Sequence, residues 1–257
     1  MPSEGLLVLL FSLFSTAIFF LITWVITRFY RPKKLEAKFA VPRKEVLLSI
    51  AYVIAVFIVL AVVFFFMSQS IGRPIGTSEE YDISRVLYEW GIYAMISFIP
   101  VFAILKIRHQ SFQSVGLAKT NWRLSIGVGL LLSAFFLAFN TTPERFLDRV
   151  FTFNTLYGFM YYLAVGFGEE FLFRGFVQLR CSDWLGETKG LAVASVLMAF
   201  AHLPQRIFVV GQNPIEAVFS AVLLIPISLL MGFLMLRTQN VLGPTVLHTM
   251  MGMTNIL

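Results

Sequence analysis

The sequence predicts an all-α fold, an integral membrane bundle of about eight transmembrane helices. Three observations carry this. Of 257 residues, 58% are hydrophobic and only 13% are charged, where a soluble domain carries about 25% charged residues. The apolar residues fall in runs long enough to cross a bilayer, which takes about 20 residues as a helix. The charges gather at the ends of those runs. A net charge of +6 alone would fit a nucleic-acid binder; its placement beside apolar runs excludes that partner and fits the positive-inside rule. The single cysteine, Cys181, rules out an intrachain disulfide.

The spans fall at about 5–27, 46–68, 84–105, 124–140, 155–180, 191–204, 215–236 and 241–257, the sixth being short. They form one polytopic domain, 1–257, without repeats. The opening "MPSEG" has no positive n-region, so the first run reads as a retained span and not a cleaved signal peptide. Between spans 1 and 2 stand Arg28, Arg31, Lys33, Lys34, Lys38, Arg43 and Lys44 with two acids. Such a loop reads the anionic leaflet of the lipid bilayer. Lys106, Arg108, Lys119 and Arg123 follow span 3 without an acid, whereas span 2 is followed by Glu79, Glu80 and Asp82. Arg180, Lys189 and Arg237 fall on the side of the basic loops. This asymmetry places both termini outside; the small size with no soluble extension suggests a prokaryotic plasma membrane. "TTPERFLDRVFTFN", after span 4, reads either as an amphipathic surface stretch or as a loop. Pro226 and Pro244 are kinks within spans 7 and 8.

Polar residues interrupt three spans. Span 5 holds Glu169, Glu170 and Arg174; span 6 holds His202; span 8 holds His248 and the amide Asn255. An ionisable residue costs about 2.5–3.5 kcal/mol at a helix centre and marks function by default. Glu169 lies about 11 residues from the inner end of its helix at Arg180, His202 about 11 from Leu191, and His248 about 11 from Arg237. At 1.5 Å per residue each is about 16 Å above the cytoplasmic face. Three helices thus bring ionisable groups to one level. Glu170 and Arg174, four apart with the acid first, form a favourable pair. Glu169 points about 100° away from Glu170. Gly166 and Gly168 provide small surfaces for close helix approach.

A carboxylate with two imidazoles supports two chemistries. A buried glutamate can take a proton from water while a histidine orients it. Alternatively, Glu169, His202 and His248 can bind a divalent metal such as zinc, two histidines and a carboxylate being a familiar set. Spacing alone leaves both open, and no HExxH is present.

"GFGEEFLFRGFVQ", "AFAHLPQ" and "NVLGPTVLHTMMGMTN" resemble, in order and placement, the three motifs of the CAAX-protease and bacteriocin-processing (CPBP, or Abi) family of intramembrane endopeptidases. "HQSFQSVGL" before span 4 is also similar to a segment seen there. The resemblance covers residues 155–257. It implies proteolysis in or near the membrane on a peptide or membrane-protein substrate. Glu169 and His202 would activate water, and His248 with an amide neighbour would stabilise the oxyanion. Glu170 and Arg174 would hold the site's shape. The family is often labelled metallo-. Met198 stands where the second motif usually has Phe, and Gly252 where the third usually has Asn; either Asn255, seven after His248, supplies the supporting amide one turn deeper, or that amide is missing. The site is expected to open toward the cytoplasmic half. Two other readings stand beside the protease: a proton-coupled transporter using Glu169 and the histidines as a relay, and a non-catalytic immunity or binding protein on the same scaffold.

Overall fold

Apolar runs in a bilayer become helices because the backbone must satisfy its own hydrogen bonds there. The computed structural model describes residues 2–30, 32–35, 39–71 and 80–257, and among them every regular element is helical. They are α1 (Pro2–Arg28), α2 (Pro42–Ile71), α3 (Ile83–Ile107), α4 (Trp122–Asn140), α5 (Pro143–Arg149), α6 (153–185), α7 (Glu187–Val209), α8 (Pro214–Thr238) and α9 (Leu242–Met253). Of the loop charges that orient the chain, Arg31, Lys38 and Glu79 lie outside the described residues.

The helix starts follow from local chemistry. Asp82 opens α3 by accepting the backbone N–H of Arg85 at 2.8 Å. The Ser84 hydroxyl and that N–H hold its carboxyl below the ordinary range. Thr152 opens α6 by accepting the N–H of Thr155 at 3.2 Å. Asn213 opens α8 through a capping box with Glu216. Gly186, at φ +86°, makes the turn between α6 and α7, a conformation that glycine tolerates. The stretch after span 4 forms α5, capped by Thr142, with no buried residue. In α8 the regular helix stops at Val222 and resumes at Ile225, because Pro226 has no N–H to give the preceding turn.

Eight of these helices form an integral membrane bundle. By length and hydropathy α2, α3, α4, α7 and α8 each suffice to cross a membrane, and α1 adds the apolar stretch Leu13–Arg28. The short sixth run proves longer than expected, because the helix continues past His202 through a π-helical turn, Gln205–Val209. The eighth run is shorter: α9 has 12 residues, about 18 Å at the helical rise. It is enclosed by the bundle and packs between α4 and α6. Close approach there depends on small residues. A Cβ on Gly129 of α4 would stand 2.7 Å from the carbonyl oxygen of Gly243 in α9, and one on Gly166 of α6 2.8 Å from Thr249 Oγ1. The exposed surface carries large apolar side chains, among them Phe14, Leu21, Ile58, Phe66 and Phe139, an unsuitable surface for water and a fitting one for lipid.

The connections α1–α2, α3–α4, α6–α7 and α8–α9 meet at one end of the bundle, hereafter the basic end. Lys33 N–H donates to Asn121 Oδ1 at 3.2 Å, Leu35 N–H to Gln239 Oε1 at 2.9 Å and Phe39 N–H to Asp183 Oδ2 at 3.2 Å. At the opposite end, Tyr81 N–H donates to Asn154 Oδ1 at 2.6 Å and Arg149 Nη1 to the Ile256 carbonyl at 2.9 Å. Just beneath the basic surface Arg180, expected as a loop charge, is fully buried. Its guanidinium lies over the Phe176 ring and bonds Glu45 Oε2 (3.3 Å), the Phe176 carbonyl (2.9 Å) and Gln110 Oε1 (2.5 Å). The other oxygen of Glu45 takes Arg108 Nε at 2.5 Å.

Removing one partner of a buried ion pair costs about 3–5 kcal/mol. Glu45→Ala should therefore lower the thermal unfolding midpoint in detergent sharply, and Glu45→Gln less so. An unchanged midpoint for Glu45→Ala would show that the cluster does not hold this end together.

Candidate active site

Four helices deliver the polar residues to one place. α6 presents Glu169, Glu170 and Arg174, α7 His202, α9 His248 and α3 Tyr93. Glu169 Oε1 lies 3.6 Å from His202 Nε2, and Oε2 lies 4.0 Å from His248 Nε2. The Tyr93 hydroxyl donates to Glu169 Oε1 at 3.0 Å. Of the residues placed at one depth from their spacing, both histidines thus stand within 4.0 Å of Glu169.

The partners behind each imidazole fix its orientation. His202 Nδ1 is 2.9 Å from the Met198 carbonyl, an acceptor, so it carries the proton there and turns Nε2 toward Glu169. His248 Nδ1 is 2.9 Å from Glu170 Oε1, again leaving Nε2 toward Glu169. Glu170 Oε2 accepts from Arg174 Nε at 2.9 Å, and Arg174 Nη2 donates to Ser228 Oγ at 2.8 Å. The two neighbouring glutamates therefore differ. Both oxygens of Glu170 are engaged. Glu169 Oε2 is buried and accepts no hydrogen bond among the described residues.

Glu169, His202 and His248 line a cavity of about 530 Å³. Its walls include Val56, Leu60, Tyr93 and Leu172, and it reaches Arg85, Tyr88, Gln205 and Val210. Those four belong to the end of the bundle away from the basic loops. The cavity thus runs toward the end opposite the basic loops; on the basic side the Glu45–Arg108–Arg180 cluster and the buried Gln178 fill the space.

Asn255 is brought to none of these groups. Its side chain is exposed and donates to the Tyr162 hydroxyl at 3.0 Å, which is 2.9 Å from the Tyr81 hydroxyl. At Gly252 a Cβ would run into the Tyr162 ring. The space that a third-motif asparagine needs is therefore filled by an aromatic side chain from α6. Both imidazoles face Glu169, but among the described residues no group of three or more His, Cys, Asp or Glu side chains is arranged to hold a metal ion.

Two site residues escaped the sequence reading. Tyr93 lies in an apolar span with no motif around it, and the only signal was that a buried phenol needs a partner. Glu89 reads as interfacial, yet it lines the cavity.

The fold and site define a polytopic helical membrane protein with a carboxylate and two imidazoles lining an internal cavity. Residues 150–254 match the family model described as Type II CAAX prenyl endopeptidase Rce1-like, in agreement with the CPBP resemblance of the motifs. No curated protein and no solved structure matches the chain.

Because Tyr162 occupies the place, Gly252→Asn should not supply a catalytic amide. Overpacking costs about 1–3 kcal/mol, so the variant should melt earlier than the native chain. A variant that melts normally and gains activity would overturn this reading.

Proposed function

We propose that this chain is a CAAX-protease-like intramembrane endopeptidase that hydrolyses a peptide bond at Glu169. One observation carries the reading: on the cavity wall, the Glu169 carboxylate has His202 Nε2 at 3.6 Å from Oε1 and His248 Nε2 at 4.0 Å from Oε2, and Oε2 is buried with no hydrogen bond among the described residues. The family match over residues 150–254 supports it.

The steps follow from the partners. Water between Glu169 and His202 gives a proton to the Glu169 carboxylate, and its oxygen attacks the scissile carbonyl carbon. His202 Nε2 orients that water, its ring held by the Met198 carbonyl. The oxyanion that forms is stabilised by the His248 imidazolium, whose Nδ1–H is held by Glu170. The C–N bond then breaks, and the proton on Glu169 passes to the leaving amine. Tyr93 holds the carboxylate in place. Glu170 and Arg174 position His248 and do not touch the reacting atoms. No step is routed through a metal ion.

General acid–base catalysis contributes about 10²–10⁴-fold. Glu169→Gln and His202→Ala should each reduce cleavage of a peptide panel by at least that lower factor while the detergent-purified protein stays folded; retained cleavage in either would sink the assignment. A chelator should leave native cleavage unchanged. Tyr93→Phe removes a hydrogen bond to a charged group, worth about 1.5–3 kcal/mol. It should slow cleavage roughly tenfold or more without loss of fold, read from kcat/KM and the melting curve.

The Tyr162 ring against Gly252 favours one other reading, a scaffold that holds a peptide without cutting it. Equal peptide binding by native chain and Glu169→Gln, with no product from either, would be its signature.

A further inference from the structure

The cavity and the loop charges have to be taken together. Counted by connection along the chain, the basic end carries fourteen of the twenty Lys and Arg residues and four acids; the opposite end carries five basic and eight acidic residues. This is a strong bias, and the connections are short, the regime in which Lys and Arg set orientation. The basic end is therefore the cytoplasmic one. The cavity reaches the other end. Tyr88 and Val210 on its rim are 45% and 57% exposed. Between Glu169 and the basic end, by contrast, α6 runs through the wholly buried turn Phe171–Gln178 and then into the Arg180–Glu45–Arg108 cluster.

We propose that the site is entered from the non-cytoplasmic side of the membrane, so that its substrate is a peptide segment presented at or anchored in the outer leaflet, and not a cytosolic tail. The word substrate here rests on the protease reading; the direction of entry does not. The rim suits a peptide at a lipid–water boundary. Tyr88 supplies an amphipathic ring, and Arg85 and Glu89 supply both signs of charge. Apolar walls of Val56, Leu60 and Phe64 lie on the way to Glu169. Among the described residues the basic end shows no comparable route, since its connections are tied to one another and its central guanidinium has no exposed surface.

Cysteine labelling of the full chain tests the direction of entry. Cys181 is buried, so the native chain gives a low background. Gln205→Cys and Tyr88→Cys place a thiol in the cavity mouth, two positions guarding against one folding failure; Lys119→Cys marks the basic end. Each is expressed in bacterial cells and exposed to a membrane-impermeant maleimide before and after permeabilisation. The expected result is labelling of Gln205→Cys and Tyr88→Cys in intact cells, and of Lys119→Cys only after permeabilisation. Cavity-mouth thiols that react only after permeabilisation, or not at all in folded protein, overturn the proposal. The same labelling is expected in a Glu169→Gln background. Loss of the protease reading would appear as absent cleavage with this pattern intact, and loss of the entry reading as a reversed pattern whatever the cleavage.

Discussion

Arg174 has no exposed surface and lies in the apolar middle of the bundle, and the arrangement of the site depends on how its charge is met. An unpaired charge there would cost several kcal/mol. Glu170, one helical turn earlier, neutralises it, but Glu170 has a second oxygen, and that oxygen takes His248 from α9. The other side of the guanidinium takes Ser228 from α8, and the Ser228 hydroxyl also lies 3.3 Å from the Ser195 carbonyl of α7. One ion pair on α6 thereby connects to three other helices. The packing of α7, α8 and α9 around α6 and the placement of His248 follow from the same electrostatic requirement.

That requirement also separates two carboxylates that are adjacent in sequence. A step of one residue turns a helix by about 100°, enough to send Glu170 toward Arg174 and Glu169 toward the cavity. Glu170 uses both oxygens in holding the structure. Glu169 uses one oxygen, on the Tyr93 hydroxyl, and the other accepts no hydrogen bond among the described residues. In the proposed mechanism, reactivity is what remains unsatisfied after the scaffold has taken its share. Three π-helical turns lie beside these residues: Ala94–Phe98 directly after Tyr93, Phe171–Gln178 directly after Glu170, and Gln205–Val209 three residues after His202. Turns of this kind occur often at functional sites, because they change the phase of a helix without ending it.

Much of this was legible in the sequence. The apolar runs give the helices, and the shared depth of Glu169, His202 and His248 needs only the helical rise and the loop positions. The Glu170–Arg174 pair follows from a spacing of four. What was not legible depends on contacts between segments far apart in the chain. Arg180 reads as a loop charge until Glu45, 135 residues earlier, is seen beside it. Tyr93 becomes a site residue only through Glu169, and the role of Gly252 changes once Tyr162 is found against it. The π turns carry no compositional mark. The end toward which the cavity runs was not legible either, because depth along a helix says how far a residue lies from one face, and nothing about which face is filled.

Depth and access together limit what can reach Glu169. Val210, on the rim, stands eight residues beyond His202, about 12 Å along a helix at 1.5 Å per residue. An extended strand covers that distance in about four residues at 3.3 Å each. A cavity of about 530 Å³ falls within the range of roughly 300–1,000 Å³ typical of small-ligand sites. A folded domain is too large for it, and so is a helix with its side chains, about 10–12 Å across. On the proposed protease reading, the segment that meets Glu169 would therefore be unwound over about four residues on one side of the scissile bond. Selection would rest on the ease with which a substrate gives up local structure near the membrane surface, with the apolar walls and the Arg85–Glu89 rim choosing among segments already extended.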